Sequence, residues 1–564
     1  MKRFFLLLPF FLPATMGCIS DGPSSRIVET IEVGDAPHGI RYTADGRHAL
    51  LAESGANAIA VVDLEQGYVT ERWEAGEVPL DLVSDGNGGY WVTQFRSYQL
   101  VHFDGAGREL GRIEVADGPS LFTSRAPNGR YGLVAERGDR FYVFDPQAGA
   151  IIQEFETGPR PYPGVITRDG ILAFVPNSAD GTVSIFDLLN WEEVTKVHVG
   201  GRPRGGALIP DDVSYVVATS DPDALVYVNT ASFEVEARVT ERVGPAPFSV
   251  CIPDRGGFGV VNDSGGNTVG ILDLANRRIV EKLEVGDQPI VMRAHQDNRR
   301  VVVSTEEGNA VSIVELPAPE EPGPFVERNE VLVLGMIHGD HETSESYGLE
   351  TVEALIRAID PDVVCIEIPP NRIEAAWSGF HTEGRLVEPR SRRFPEYRDV
   401  LFPLTRELDF EIVATAGWTE RMASYRRDAL RRIAEDPSRA GEWAEYEASQ
   451  EAAAKAIRAG GGADDPRWIH TDTYDAAAEL ELSVYNRLFN DELGPGGWDN
   501  INAAHYENIE RALDERSGRG LRILITYGAY HKGWFLRELR KRDDIRLLDV
   551  GPFLDQIESD RVGP

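Results

Sequence analysis

At 564 residues the chain exceeds what one hydrophobic core organises, so two or more domains are expected. Its apolar content of 42% is ordinary for globular protein. A formal charge of −35 argues against nucleic acid and anionic lipid surfaces as partners.

The N-terminus has the form of an export signal over residues 1–17. Lys2-Arg3 is a positive start, 4–12 an apolar run, and Ala14-Thr15-Met16-Gly17 a small-residue exit. The apolar run is too short to cross a bilayer comfortably. Cys18 follows Gly17 and resembles a bacterial lipoprotein cleavage point, which implies lipid attachment there; ordinary cleavage nearby is the alternative. The expected location is the periplasm or cell surface, with membrane contact only through that lipid. Cys251 and Cys365 fall in different predicted domains, so a disulfide between them is not expected.

Residues 27–316 repeat. Each unit opens on a Gly-x-x-Pro-like turn whose proline is Pro37, Pro79, Pro119, Pro161, Pro203, Pro247 or Pro289, spaced 40 to 44 residues apart. A β-like run, a turn such as Thr43-Ala44-Asp45-Gly46-Arg47, and a second run follow. A third run often closes on aspartate, as at Asp63, Asp145, Asp187 and Asp273, and a fourth leads to the next turn. Four strands per unit, seven times over, predict a seven-bladed β-propeller. The last unit lacks its fourth strand, and Ile27-Val28-Glu29-Thr30-Ile31-Glu32-Val33 has the pattern to supply it, which would remove an exposed edge. The units resemble the YVTN/YncE-type propeller repeats of exported bacterial and archaeal proteins. The scattered histidines His38, His48, His102, His198 and His295 form no ring of ligands.

A Pro-rich linker at 317–325 ends the repeat, and a second domain is expected over 326–558. Its pattern is strand, helix over 348–359, strand over 362–368, then a largely helical stretch from about 397 to 515, with a short strand near 410–414. A strand at 521–527, a helix at 533–541 and a last strand at 545–550 follow. The fold class is therefore multidomain: an all-β seven-bladed propeller, then an α/β domain with a large helical insertion.

Two apolar runs in this domain break at Gly-x-x-His: Gly335-Met336-Ile337-His338 and Gly528-Ala529-Tyr530-His531. Between them, Val363-Val364-Cys365-Ile366-Glu367 ends a strand on a carboxylate. Parallel strands place their C-terminal ends on one edge, so two imidazoles and a carboxylate would meet there. His338, Glu367 and His531 are the candidate catalytic residues and the candidate ligands of a divalent metal cation. A charge on Glu367 in so apolar a strand needs compensation, from a metal, Arg372 or Arg421. His341 is either an exposed loop residue or a ligand or proton shuttle. Glu342 is a candidate base, and Glu420-Arg421 a pair that orients Glu367 or substrate. His505 on the late helix, with His381 and His470, is read as structural. Ser344 and Ser346 lack a nucleophile elbow.

Gly335-x-x-His338 with Thr343-Ser344, Pro361-Asp362-Val363-Val364-Cys365-Ile366-Glu367 with Arg372, Glu420-Arg421-Met422, and Tyr527-Gly528-Ala529-Tyr530-His531-x-Gly533 occur in the order that resembles the TraB/PrgY/GumN and Tiki families. A more distant resemblance is to erythromycin esterases and ChaN-like proteins. Met336 stands where those families carry threonine, and Tyr530 where they carry a small residue. The resemblance implies a metal-dependent protease or an esterase with a histidine base. The functional expectation is an exported, lipid-anchored, metal-dependent hydrolase that cleaves a peptide or ester substrate. Its propeller would be a binding scaffold for that substrate or for an envelope protein partner. The alternative is a non-catalytic binding or signalling protein whose C-terminal domain binds metal, haem or peptide. Without metal, His338 would activate water with Glu367 orienting it.

Overall fold

The computed structural model describes residues 24–126, 129–210, 212–317 and 328–562. The expected export signal, Cys18 and most of the Pro-rich linker lie outside the described residues.

Residues 26–315 form a β-propeller of seven four-stranded antiparallel sheets. Six blades are sequential meanders. The seventh combines Pro289–Ala294, Arg300–Thr305 and Ala310–Glu315 with Arg26–Glu32 from the chain start, which pairs antiparallel with Ala310–Glu315. One blade thus joins both ends of the repeat and leaves no open seam. The unit prolines sit at or near the start of the innermost strands, as in Pro37–Tyr42, Pro79–Ser84 and Pro289–Ala294. The aspartates that close third strands make turns: the Asp63 carboxylate accepts from the N–H groups of Glu65 and Gln66, and Asp187 does the same for Leu189 and Asn190. Second and third strands are buried on both faces because each blade packs its neighbours. Phe122, Tyr131 and Phe144 of one blade meet Val83, Trp91 and Leu100 of the one before. Fourth strands, such as Tyr68–Glu74, alternate and face solvent.

The second domain is built on a five-stranded parallel sheet in the order Glu411–Ala414, Val363–Ile366, Arg522–Gly528, Asn329–Met336, Ile545–Leu547. The strands that carry His338, Glu367 and His531 at their C-terminal ends are the three adjacent central ones. A helical insertion separates Glu411–Ala414 from Arg522–Gly528. Within the largely helical stretch the chain forms two successive helices, Glu420–Glu435 and Ala440–Gly460. Pro437 cannot continue the first, and the Asp436 carboxylate accepts from the Ser438 N–H to start a new turn. Cys251 and Cys365 are free.

The domains share an apolar cluster in which Ala416, Trp418, Met422 and Ile501 pack on Phe174, Tyr215 and Val217 of the propeller. Ion pairs surround it: Arg421 with Asp187 at 2.6 Å, Arg168 with Glu507 at 3.3 Å and Arg255 with Glu510 at 3.1 Å. Among the described residues, no helix is long and apolar enough to cross a membrane.

Candidate functional site at the C-terminal sheet edge

Strand Asn329–Met336 ends at Ile337, and His338 turns the chain with φ 49°, a left-handed conformation that few side-chain-bearing residues adopt. The turn is made by His338 itself, while Gly335 lies within the strand. Gly335 is needed for packing instead: a Cβ there would lie 3.2 Å from the Ala529 Cα. His531 stands in the first turn of helix Ala529–Leu539, and Glu367 directly after strand Val363–Ile366.

These three side chains converge on Gly528. Its N–H donates to Glu367 Oε2 at 3.0 Å, and His338 Nε2 is 3.5 Å from the same oxygen. A Cβ on Gly528 would sit 2.8 Å from His338 Nε2 and 3.5 Å from His531 Cδ2, so the space between the imidazoles exists because residue 528 has no side chain.

Each imidazole is held through Nδ1. His338 Nδ1 donates to Glu396 Oε1 at 2.7 Å. His531 Nδ1 donates to Asn502 Oδ1 at 2.7 Å, while the Asn502 amide donates to the Trp498 carbonyl, which sets the amide's orientation and hence the His531 tautomer. With Nδ1 engaged, the other ring nitrogen of each is Nε2, and that of His338 faces Glu367. Trp498 stacks on His531 with ring centroids 4.6 Å apart.

The two histidines have opposite charge states. Burial pulls the His338 pKa down, but hydrogen bonds and charge from Glu367 and Glu396 more than reverse this, up to about 10. Burial lowers His531 to about 4, with only partial opposition from Glu367. Glu367 stays ionised: burial would raise it, yet His338, His531 and His505 hold it well below the carboxylate range. His338 is thus an imidazolium at neutral pH and His531 a neutral base.

Glu396 was not foreseen. It is fully buried, its Oε2 has no hydrogen-bond partner, and it opens the π-helix Glu396–Leu401. The wider turn lets consecutive residues face the site. Next to Glu396, the Tyr397 hydroxyl accepts from the Glu367 N–H and donates to the Thr526 carbonyl, joining two strand ends. The aromatic, proline-flanked segment Phe394-Pro395-Glu396-Tyr397 was the only local signal.

The remaining candidates lie elsewhere. His341 is buried with both nitrogens engaged, Nδ1 donating to the Tyr347 carbonyl and Nε2 accepting from the Ile337 N–H, so it has no lone pair for a ligand. Glu342 pairs with Arg398 at the surface. Arg372 bonds Glu388 and Glu420, and Arg421 bonds Asp187 of the propeller, so neither arginine compensates Glu367. His505 is buried beside His531, ring centroids 5.1 Å apart, with Nδ1 accepting from the Gly417 N–H. Tyr530 turns away to stack on Tyr474.

Arg372, Glu420 and Arg421 line a cleft of about 550 Å³ between the domains, with Trp418 on one wall and Asp187 and Phe233 of the propeller on the other. The cleft also includes Pro369, just past the strand that leads to Glu367, and Gly417, just past the edge strand Glu411–Ala414. The His338 group is not itself part of its lining; His505, bonded to Gly417, stands between.

Two imidazoles and a carboxylate are a donor set that suits a divalent cation. Among the described residues, however, no three His, Cys, Asp or Glu side chains form a ready-made cation site. A cation would have to draw His338, Glu367 and His531 together.

No protein-family model matches the chain, and no curated protein matches it. Solved structures similar to it include hydrazine synthase of Kuenenia stuttgartiensis, at 16% identity over 50% of this chain and 95% of that one, TM-score 0.45. A streptogramin B lyase structure is 14% identical over 52% of this chain and 98% of that one, TM-score 0.45. Virginiamycin B lyase from Staphylococcus aureus is 16% identical over 52% of this chain and all of that one, TM-score 0.45. The fold and the site rest on the strand pairing and side-chain geometry, not on these likenesses.

Proposed function

We propose that the C-terminal domain is a hydrolase of ester or peptide bonds in which His531 is the general base and His338 the general acid. The supporting observation is that both imidazoles are fixed through Nδ1 around Gly528, yet their surroundings drive their protonation in opposite directions. A pair of titratable groups so separated can divide acid and base work at neutral pH. His531 Nε2 takes a proton from water, the hydroxide adds to the carbonyl, and His338 Nε2 gives its proton to the leaving group. Glu367 holds the imidazolium and is oriented by the Gly528 N–H and, through its backbone, by Tyr397. This reverses the role expected of His338, which carries a proton and so is not the base.

The TraB/GumN/Tiki-like motif order supports metal dependence as a further part of the reading. His338, Glu367 and His531 would hold a divalent cation, which would supply a bound water of pKa near about 7. The cation would compete with the His338 proton for one lone pair. The signal-like start of the sequence and Cys18 support a reading in which the domain works outside the cytoplasm, lipid-anchored, with the YncE-like propeller as scaffold for substrate or an envelope partner.

The test uses the full chain with a panel of peptide and ester substrates, with and without chelation, beside His338→Ala, His531→Ala and Glu367→Gln. Turnover resistant to chelation, flat from about pH 4 to about 10 and lost in all three variants, supports acid–base hydrolysis. Loss on chelation assigns the cation instead. Cation binding without turnover on any substrate favours the non-catalytic binder, and wild-type activity in both histidine variants ends the site assignment.

A further inference from the structure

The axis of the propeller holds a second cluster of unmatched charge. The innermost strands of the seven blades close in a ring, each against the next. Inside lies a channel of about 460 Å³ whose walls include Arg41, Arg125, Arg168 and Arg293 but, among the described residues, only one carboxylate, Asp254. This runs against the composition of a chain with 92 acidic and 57 basic residues.

Arg41 and Arg293 occupy the same register in neighbouring blades, each four residues past its blade's turn proline, Pro37 or Pro289. The Tyr42 hydroxyl, donating to the Arg293 carbonyl, ties the two strands together. Both guanidinium groups reach a single counterion, Asp81, at 3.7 Å and 3.4 Å. Asp81 is fully buried and already accepts from the Leu82 and Phe122 N–H groups, so it matches one of the two positive charges at most. Arg41 Nη2 and Arg293 Nε have no hydrogen-bond partner. The side chains are 18% and 29% exposed, towards the channel they line. Burial together with repulsion from Arg41 lowers the Arg293 pKa, the sign of excess positive charge. Arg168 differs, because Asp212, Asp254 and Glu507 neutralise it.

We propose that the propeller channel binds a compact oxyanion, a carboxylate or phosphate, between Arg41 and Arg293. Planar guanidinium groups present paired donors that suit such an anion, and about 460 Å³ lies within the range of small-ligand sites. The inference is independent of the hydrolase reading, since Arg41, Arg293 and Asp81 lie within the propeller and touch neither the C-terminal site nor the interdomain cleft.

Isothermal titration of the full chain with inorganic phosphate and, separately, succinate tests it, against chloride at equal ionic strength and neutral succinamide. Saturable binding of phosphate, of succinate or of both is expected, and the arms identify which. Arg41→Gln and Arg293→Gln should each weaken it at least tenfold. Asp81→Asn should tighten it, because the carboxylate competes with the ligand for the same two groups. That opposite sign separates a binding site from a structural ion pair even where an arginine variant folds poorly. Absence of saturable oxyanion binding by the wild type, unchanged affinity in the arginine variants, or weaker binding by Asp81→Asn would overturn the proposal.

Discussion

Glu396→Gln is the sharpest probe of the C-terminal site. The buried carboxylate accepts a hydrogen bond from His338 Nδ1 at 2.7 Å, and glutamine keeps an acceptor oxygen while removing the charge. A hydrogen bond to a charged partner contributes about 1.5–3 kcal/mol. Water reaches the His338 ring, whose side chain is 32% exposed, and screens part of this, so a loss of about 2 kcal/mol is expected. By linkage, the same energy should lower the His338 pKa by about 1.5, from about 10 to roughly 8.5. The sign follows from the direction of the shift. Because folding raises the imidazole pKa, the stabilisation is complete below about 6.5 and disappears as pH rises through about 10. The variant's stability deficit should therefore be largest at pH 6 and vanish above pH 10. NMR titration of His338, assigned by comparison with His338→Ala, and thermal unfolding at pH 6, 8 and 10.5 provide the readouts. A His338 titration that stays in place, or a deficit that grows with pH, would refute the reasoning.

Gly528→Ala tests the hollow between the imidazoles. Gly528 has φ −47°, which alanine adopts freely, so folding should be near wild type by circular dichroism. The added methyl would lie 2.8 Å from His338 Nε2, and turnover and cation binding should fall at least tenfold; wild-type activity would show that the hollow is not used. Arg421→Ala removes the interdomain ion pair with the buried Asp187 and should cost about 1–3 kcal/mol. Calorimetry should then show the two domains melting further apart, while the His338 titration is unchanged. A shifted titration would place Arg421 in the site after all.

The propeller was legible because its signals are local and repeated. Unit prolines, turn-forming aspartates and alternating fourth strands each act within one blade, and seven copies make the pattern unmistakable. The sheet edge was legible for the same reason: His338, Glu367 and His531 each end an apolar strand, and parallel order brings strand ends together. Glu396 was hidden because it lies 29 residues past Glu367 in a helical stretch, and the aromatic, proline-flanked segment around it does not specify a carboxylate aimed at an imidazole 58 positions earlier. The expectation that Arg372 or Arg421 compensates Glu367 was not met for a different reason: Glu388 and Glu420 take Arg372, and Asp187 of the propeller takes Arg421.

By itself the sequence determined which residues end the strands, how many blades form, and that the last blade needs the chain's first strand, since strand period and turn chemistry are short-range properties. Tertiary structure alone decided which nitrogen of each histidine is free and which histidine carries the proton. Those depend on burial and on partners distant in the chain, and burial and charge act through space.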